Sequence, residues 1–290
     1  MPMLATESIR LNYHTLGGGE VVVLIHGLGA NMAFWFLNIA TTLAQRYRVV
    51  TYDLRGHGRS DAPAYGYRLE QMVEDLNALL DHLGIASAHL VGHSFGGRVA
   101  LCETILHTSR VQSLTIADSQ LACLQPRMRL RDWYHWPVWK RQLEKQGLTS
   151  LPDDDEFISY HLLAGFNQFD TSIANGEIAE GQHRARPSLR TRDMGHRGSI
   201  MWARLLETTS AGHEFEDEAP LSEQGISAIR VPTCAIFGEY SHCLPTGRAL
   251  TRLIPGCRLV QIPRAGHFHP AVRPRLFTRV LRAFLAQHSN

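Results

Sequence analysis

The 290-residue sequence lacks the features that would assign it to a membrane, to nucleic acid or to a disulfide scaffold. It has no run near the ~18 apolar residues that span a bilayer. Its first ten residues have no apolar core, so we expect no signal peptide. The formal net charge of +2 offers nucleic acid little attraction. The five cysteines are odd in number and form no C-x-x-C pair, which favours reduced thiols and predicts a cytoplasmic protein.

Zinc-hydrolase spacing is also missing, because His213-Glu214 is not followed by a histidine in the H-E-x-x-H pattern. We therefore expect neither a metal nor an organic cofactor. What the chain does contain is 44% hydrophobic and 19% charged residues, a composition typical of a globular protein with a sizeable core.

Apolar runs alternate with segments of helical periodicity along most of the chain. A first antiparallel strand is predicted over Ser8–Leu16, and helices over Ala33–Gln45 and Leu69–Leu83. Four continuous apolar runs predict strands buried on both faces: Val21–Ile25, Tyr47–Tyr52, Ala88–Val91 and Val111–Ala117. This alternation predicts an α/β fold with a mostly parallel sheet flanked by helices.

The alternation stops after Asp118 and resumes at Val231. We predict a core of residues 1–118 and 231–290, interrupted by a helical cap or lid of residues 119–230. After the interruption we expect a strand from Thr233, a helix, a last strand and a closing helix over Pro270–Gln287. The insertion is rich in aromatic residues, which favour a largely apolar pocket: Trp133, Tyr134, Trp136, Trp139, Phe166, Phe169 and Trp202. For most of them, however, we expect packing of the insertion's own small core.

The pattern G-x-S-x-G occurs once in a strand–turn–helix setting, as Gly92-His93-Ser94-Phe95-Gly96. Glycines two residues before and after the serine would let a sharp turn form without steric clash. The turn would expose the Ser94 hydroxyl at the carboxyl edge of the sheet, in front of a helix N-terminus that favours negative charge. Ser94 is therefore the candidate nucleophile.

Three further segments accompany this turn: His26-Gly27-Leu28-Gly29, the polar loop Asp53–Ser60, and Ala265-Gly266-His267-Phe268. Each is predicted to follow a strand, at the edge where open parallel sheets place their sites. In this order, over nearly the whole chain, the sequence resembles the α/β-hydrolase superfamily, in its branch with a serine nucleophile.

The resemblance implies roles for several residues. His267 would be the general base that activates Ser94. The backbone amides of Leu28 and Phe95 would form the oxyanion hole. His57 and His93 could line the pocket, although packing is the simpler expectation for both.

The third member of the triad departs from the family pattern. The position at which the family usually carries an aspartate is Ser241, which cannot stabilise an imidazolium as a carboxylate does. Asp118, at the end of the strand after the nucleophile helix, is the favoured replacement, since some family members place their acid there. Glu239 is the second candidate, and a Ser–His pair without an acid is the third.

The resemblance implies a serine hydrolase that cleaves an ester, thioester or lactone of a small acyl substrate through an acyl-enzyme. Three alternatives stay open on the same fold: an acyltransferase, a carbon–carbon bond hydrolase, and a non-catalytic ligand-binding protein.

Overall fold

The computed structural model describes residues 2–6, 8–36, 38–133, 136–145, 151–160, 162 and 189–289. The chain folds into two compact units. The first unit combines Met1–Gln125 with His213–Asn290, and the second is Pro126–Gly212. The first unit therefore takes up both ends of the segment that was predicted to be a cap, and the function of the second unit as a lid stays a prediction.

An eight-stranded sheet forms the centre of the first unit, in the order β1-β2-β4-β3-β5-β6-β7-β8. From β3 onward all strands run parallel, while β1 and β2 pair antiparallel at one edge. This confirms the predicted α/β class and the parallel sheet. The strands are β1 Met3–Ala5, β2 Arg10–Leu16, β3 Val21–Ile25, β4 Arg48–Tyr52, β5 Ala88–His93, β6 Val111–Ala117, β7 Thr233–Gly238 and β8 Arg258–Ile262.

Helices fill most of the connections between strands. The described α-helices are α1 Ala40–Leu43, α2 Leu69–His82, α3 Phe95–Leu106, α4 Trp136–Lys145, α5 Leu189–Thr208, α6 Ala211–Glu214, α7 Glu223–Ser227, α8 Leu244–Leu253, α9 His269–Val272 and α10 Pro274–Leu285. Short 3-10 helices occur at Met32–Phe36, Thr108–Arg110 and Leu130–Asp132. Within the described ranges, no helix is both long and apolar enough to cross a membrane.

Two predicted helices are wrong in their continuity. The segment Ala33–Gln45 contains a 3-10 helix and α1, and Asn38 between them has φ 72°, a left-handed conformation that ends a helix. The closing helix Pro270–Gln287 divides into α9 and α10 at Arg273, whose φ is −124°. A proline disfavours the helical conformation of the residue before it, and Pro274 follows directly.

Apolar side chains from the sheet pack against α1 and α10 to form one hydrophobic core cluster. Trp35, Leu43, Phe277 and Leu281 are fully buried there. Each such side chain contributes about 1.5–3 kcal/mol through burial. This core fixes the helices around the sheet and leaves the carboxyl ends of the strands free to carry polar groups.

Three of the tryptophans of the predicted insertion pack together in the second unit. Trp136 and Trp139 are buried with Leu130 and Leu143, and Trp133 packs against this cluster. These indoles therefore form the small core of their own unit, which is the packing role expected from the sequence for most of the aromatic residues. Tyr134, Phe166 and Phe169 lie outside the described residues.

Candidate active site

Ser94 occupies the sharp turn between β5 and α3, with φ 54° and ψ −120°. Two glycines make this turn possible, because a Cβ on Gly92 would lie 2.1 Å from the Gly96 carbonyl oxygen. A Cβ on Gly96 would lie 2.3 Å from the carbonyl oxygen of Ile25 on the neighbouring strand. The half-buried Ser94 therefore sits in a strained turn that only glycine neighbours accommodate.

The structure brings Ser94, His267 and Asp118 together. His267 Nε2 is 3.1 Å from Ser94 Oγ, and His267 Nδ1 is 3.2 Å from Asp118 Oδ1. A carboxylate only accepts hydrogen bonds, so we assign the ring proton to Nδ1 and leave Nε2 as the acceptor of the serine hydroxyl. Burial, with a smaller contribution from Arg98, lowers the pKa of His267 to about 4, so the ring is neutral at pH 7.

Asp118 is completely buried at the end of β6 and is surrounded by donors. Gly238 N–H donates to its Oδ2 at 2.7 Å, and the Ser241 hydroxyl donates to its Oδ1. His269 Nε2 lies 3.3 Å from Oδ2. Burial raises the pKa of Asp118, whereas the electrostatic interaction with His269 and the hydrogen bonds from Ser241 and Gly238 oppose that rise. This set of donors can hold a buried carboxylate in its ionised form.

Glu239, the second candidate for the acid, does not join this group. Its side chain is exposed, and its carboxylate accepts the backbone N–H of Arg264 at 2.7 Å. Arg264 has φ 51°, a conformation that needs support in a non-glycine residue. Glu239 therefore stabilises the turn after β8.

The loop after β3 lies directly against the nucleophile. A Cβ on Gly27 would be 2.9 Å from Ser94 Cβ and 3.3 Å from the His93 carbonyl oxygen. Only a glycine allows this approach, and Leu28 follows Gly27 directly in the chain. Phe95 directly follows Ser94 as the first residue of α3. Of the two predicted oxyanion-hole residues, Leu28 thus follows the glycine that lies against Ser94, and Phe95 follows Ser94 itself.

Two buried neutral histidines hold the loop after β3. His26 accepts the Leu54 N–H at Nε2 over 3.1 Å and donates from Nδ1 to the Gly27 carbonyl over 2.7 Å. His57 accepts the Gly29 N–H at Nε2 over 3.1 Å. Burial lowers the pKa of His26 to about 4 and of His57 to about 3, so both rings stay neutral acceptors.

Comparison with known proteins identifies the family of the chain. The family model for the alpha/beta hydrolase fold matches residues 20–274. The chain belongs to this family. This α/β hydrolase is 27% identical, over 98% of its length and 95% of the relative's, to 2-hydroxy-6-oxo-2,4-heptadienoate hydrolase of Pseudomonas putida.

A second relative of this α/β hydrolase is a larger protein. The chain is 30% identical, over 71% of its length, to the dihydrolipoyllysine-residue acetyltransferase component of the acetoin cleaving system of Cupriavidus necator, and spans 58% of that protein. Among solved structures, the enol-lactonase of Burkholderia xenovorans LB400 superposes with a TM-score of 0.68 at 24% identity, covering 98% of this chain and all of the other. At that identity the likeness supports the fold alone.

His93 holds the loop that carries the proposed base of this α/β hydrolase. Its Nε2 is 3.0 Å from the His267 carbonyl oxygen, and its ring stacks on Phe34 with centroids 4.7 Å apart. Burial lowers the pKa of His93 to about 3. Packing is the expectation for His93 from the sequence, and its place beside Ser94 in the motif is the signal that could have indicated this further role.

Proposed function

We propose that this α/β hydrolase cleaves a carboxylic ester, thioester or lactone of a small, largely apolar substrate through an acyl-enzyme. The observation that carries the proposal is the chain of contacts from Ser94 Oγ to His267 Nε2, and from His267 Nδ1 to Asp118. A free serine hydroxyl is a weak nucleophile, and a base within hydrogen-bond reach activates it.

The geometry supports a two-step mechanism. Ser94 Oγ attacks the carbonyl carbon while its proton passes to His267 Nε2, and Asp118 stabilises the imidazolium that forms. His267 then gives that proton to the leaving group, and the acyl group stays on Ser94. A water molecule, deprotonated by the same imidazole, releases the acid and restores the enzyme.

The backbone amides of Leu28 and Phe95 are the proposed donors to the oxyanion. Phe95 N–H belongs to the first turn of α3, where unpaired amides and the helix dipole favour negative charge. Removal of one such donor typically costs about 10²–10³ in kcat. None of these steps draws on a metal or an organic cofactor.

The surroundings of His267 support an apolar acyl group. The Phe268 side chain is 37% exposed, and its ring stands edge-on to His267 with centroids 5.1 Å apart. An apolar surface beside the proposed base would bind hydrocarbon and exclude water from the acyl-enzyme bond.

Hydrolysis of a carbon–carbon bond is the second candidate function. It is favoured by the Pseudomonas putida relative, which spans nearly the full chain and is named for a 2-hydroxy-6-oxo dienoate, a compound without an ester bond. Parallel assays with an activated ester and with such a dienoate distinguish the two. Added alcohol or amine in the ester assay distinguishes water from another acyl acceptor.

The test of the proposal is labelling with a fluorophosphonate probe, which reacts with an activated serine. We expect one adduct on Ser94, located by peptide mass spectrometry, and its loss in Ser94→Ala and His267→Ala. Ser8→Ala, at an exposed serine between β1 and β2, serves as the control serine variant. A folded protein that gives no adduct and turns over no ester would contradict the proposal and favour a ligand-binding protein.

A small-molecule substrate and a cytoplasmic location are parts of the same proposal. All five cysteines are free thiols, which fits a reducing compartment.

A further inference from the structure

A buried thiol that the proposed mechanism does not use lies beside the proposed base. Cys243 is 1% exposed and follows β7 in the same loop as Ser241. Its Sγ is 3.7 Å from His267 Nδ1 and 3.3 Å from His242 Nε2. These three atoms all lie within 4.8 Å of one another.

The two sulfur–nitrogen distances are close to those of ligands around one tetrahedral ion. Zinc binds thiolate sulfur at about 2.3 Å and imidazole nitrogen at about 2.0–2.1 Å, which separates sulfur and nitrogen ligands by roughly 3.5 Å. The observed separations of 3.3 and 3.7 Å bracket that value. The site therefore needs little rearrangement to receive an ion.

The donor set selects the kind of ion. One thiolate and two imidazoles suit Zn²⁺ and Cd²⁺, whereas Mg²⁺ and Ca²⁺ prefer oxygen ligands. Asp118 Oδ1, 3.2 Å from His267 Nδ1, adds a carboxylate that can serve as fourth ligand or as counter-charge. His242 and His267 are both half-buried and offer an approach from solvent.

We propose that His242, Cys243 and His267 form an inhibitory site for a thiophilic divalent ion, Zn²⁺ or Cd²⁺. The thiol and the His267 Nδ1 each give up a proton to make their bonds to the ion. One proton returns to the ring at Nε2, and the other leaves to solvent. No oxidant or reductant takes part.

The same tautomer change stops catalysis. With the ion on Nδ1, the proton on Nε2 points at Ser94 Oγ, and the ring can no longer accept the serine proton. Metal binding and general-base catalysis therefore exclude each other at His267. This inhibitory consequence rests on the proposed function, whereas metal binding itself does not.

Inhibition is tested by titrating Zn²⁺ into an assay with an activated ester. We expect inhibition of the wild-type protein, and a half-inhibiting concentration at least about tenfold higher in Cys243→Ser, since loss of a supporting group alone costs about that much in metal affinity. The matched control is Cys257→Ser. Cys257 precedes β8, at the amino ends of the strands, whereas Cys243 follows β7 at their carboxyl ends. Equal inhibition of Cys243→Ser and wild type would overturn the proposal.

Binding is tested separately by the ultraviolet charge-transfer band of a cadmium thiolate. We expect a band with one equivalent of Cd²⁺ that persists in Cys257→Ser and is lost in Cys243→Ser. If Cys243→Ser does not fold, His242→Gln provides the variant and should weaken binding. A Cys243-dependent band in a protein without hydrolase activity would leave the metal site standing and the proposed function overturned. An active hydrolase that shows neither the band nor inhibition would overturn the metal site and leave the proposed function standing.

Discussion

The Ser241 hydroxyl donates a hydrogen bond to Asp118, across the adjacent ends of β7 and β6. Its oxygen in turn accepts the backbone N–H of Cys243 at 3.0 Å, which fixes its orientation. The position where related enzymes usually carry the acid thus holds a donor that supports a carboxylate from the neighbouring strand. Because β6 and β7 are neighbours, we expect a carboxylate at either location to reach the same histidine.

Asp118→Asn should lower kcat by about 10³–10⁴ while the protein stays folded, because an amide favours the wrong tautomer of His267. Steady-state kinetics on an activated ester, with circular dichroism as the check of folding, measure this. Glu239→Gln is the matched control and should retain the wild-type rate, since Glu239 contacts only the turn at Arg264 among the groups described. The reverse pattern would assign the acid to Glu239.

A carboxylate at position 241 should restore part of the activity lost from position 118. We expect Asp118→Asn combined with Ser241→Asp to recover at least about tenfold of the lost kcat, because the new carboxylate starts from the loop that already contacts Oδ1 of residue 118. Ser241→Asn in the same background is the control and should recover nothing. Equal rates in the two double variants would show that the strand end at β7 cannot present an acid to His267.

Gly27→Ala should lower kcat by about 10² with little change in KM. The added Cβ would lie 2.9 Å from Ser94 Cβ, so the loop must shift and carry the proposed Leu28 donor away from the oxyanion. Gly18→Ala is the control, since nothing lies within 4 Å of a Cβ there. An unchanged kcat in Gly27→Ala would contradict the proposed role of the Leu28 amide in the oxyanion hole.

Acid should destabilise this protein below about pH 6.5. Five histidines have pKa values lowered from 6.5 to about 3 or 4, mainly by desolvation: the buried His26, His57, His93 and His269, and the half-buried His267. Below pH 6.5 these histidines bind protons in the unfolded chain but not in the folded chain. The free energy of unfolding therefore decreases as the pH is lowered, until the pH reaches the pKa values of the folded state. Urea unfolding at pH 8, 7, 6 and 5 measures the slope.

A free energy of unfolding that is constant from pH 7 to pH 5 would contradict this expectation. The exchange should also be visible as proton uptake on unfolding at pH 5, which calorimetry in buffers of different ionisation enthalpy detects.

The parallel strands and the edge that carries the proposed site could be predicted from the sequence, because buried parallel strands are continuous apolar runs and their ends meet at one edge. The breaks at Asn38 and Arg273 were missed, since helical periodicity continues through both. The choice between Asp118 and Glu239 could not be derived from spacing, because both follow a strand. The choice depends on where each carboxylate points. Asp118 accepts a hydrogen bond from Ser241 beside His267, whereas Glu239 accepts one from the backbone of Arg264.

The first unit is assembled from two separate stretches of chain, and these divide the proposed chemistry unequally. Met1–Gln125 contains Ser94, Asp118 and the amides of Leu28 and Phe95, whereas His213–Asn290 contributes His267. A protein cleaved inside Pro126–Gly212 would thus leave the base on one polypeptide and every other reacting group on the other. The seam between β6 and β7 would have to re-form before any ester is turned over, so the fold offers a ready basis for a split-enzyme sensor of protein association.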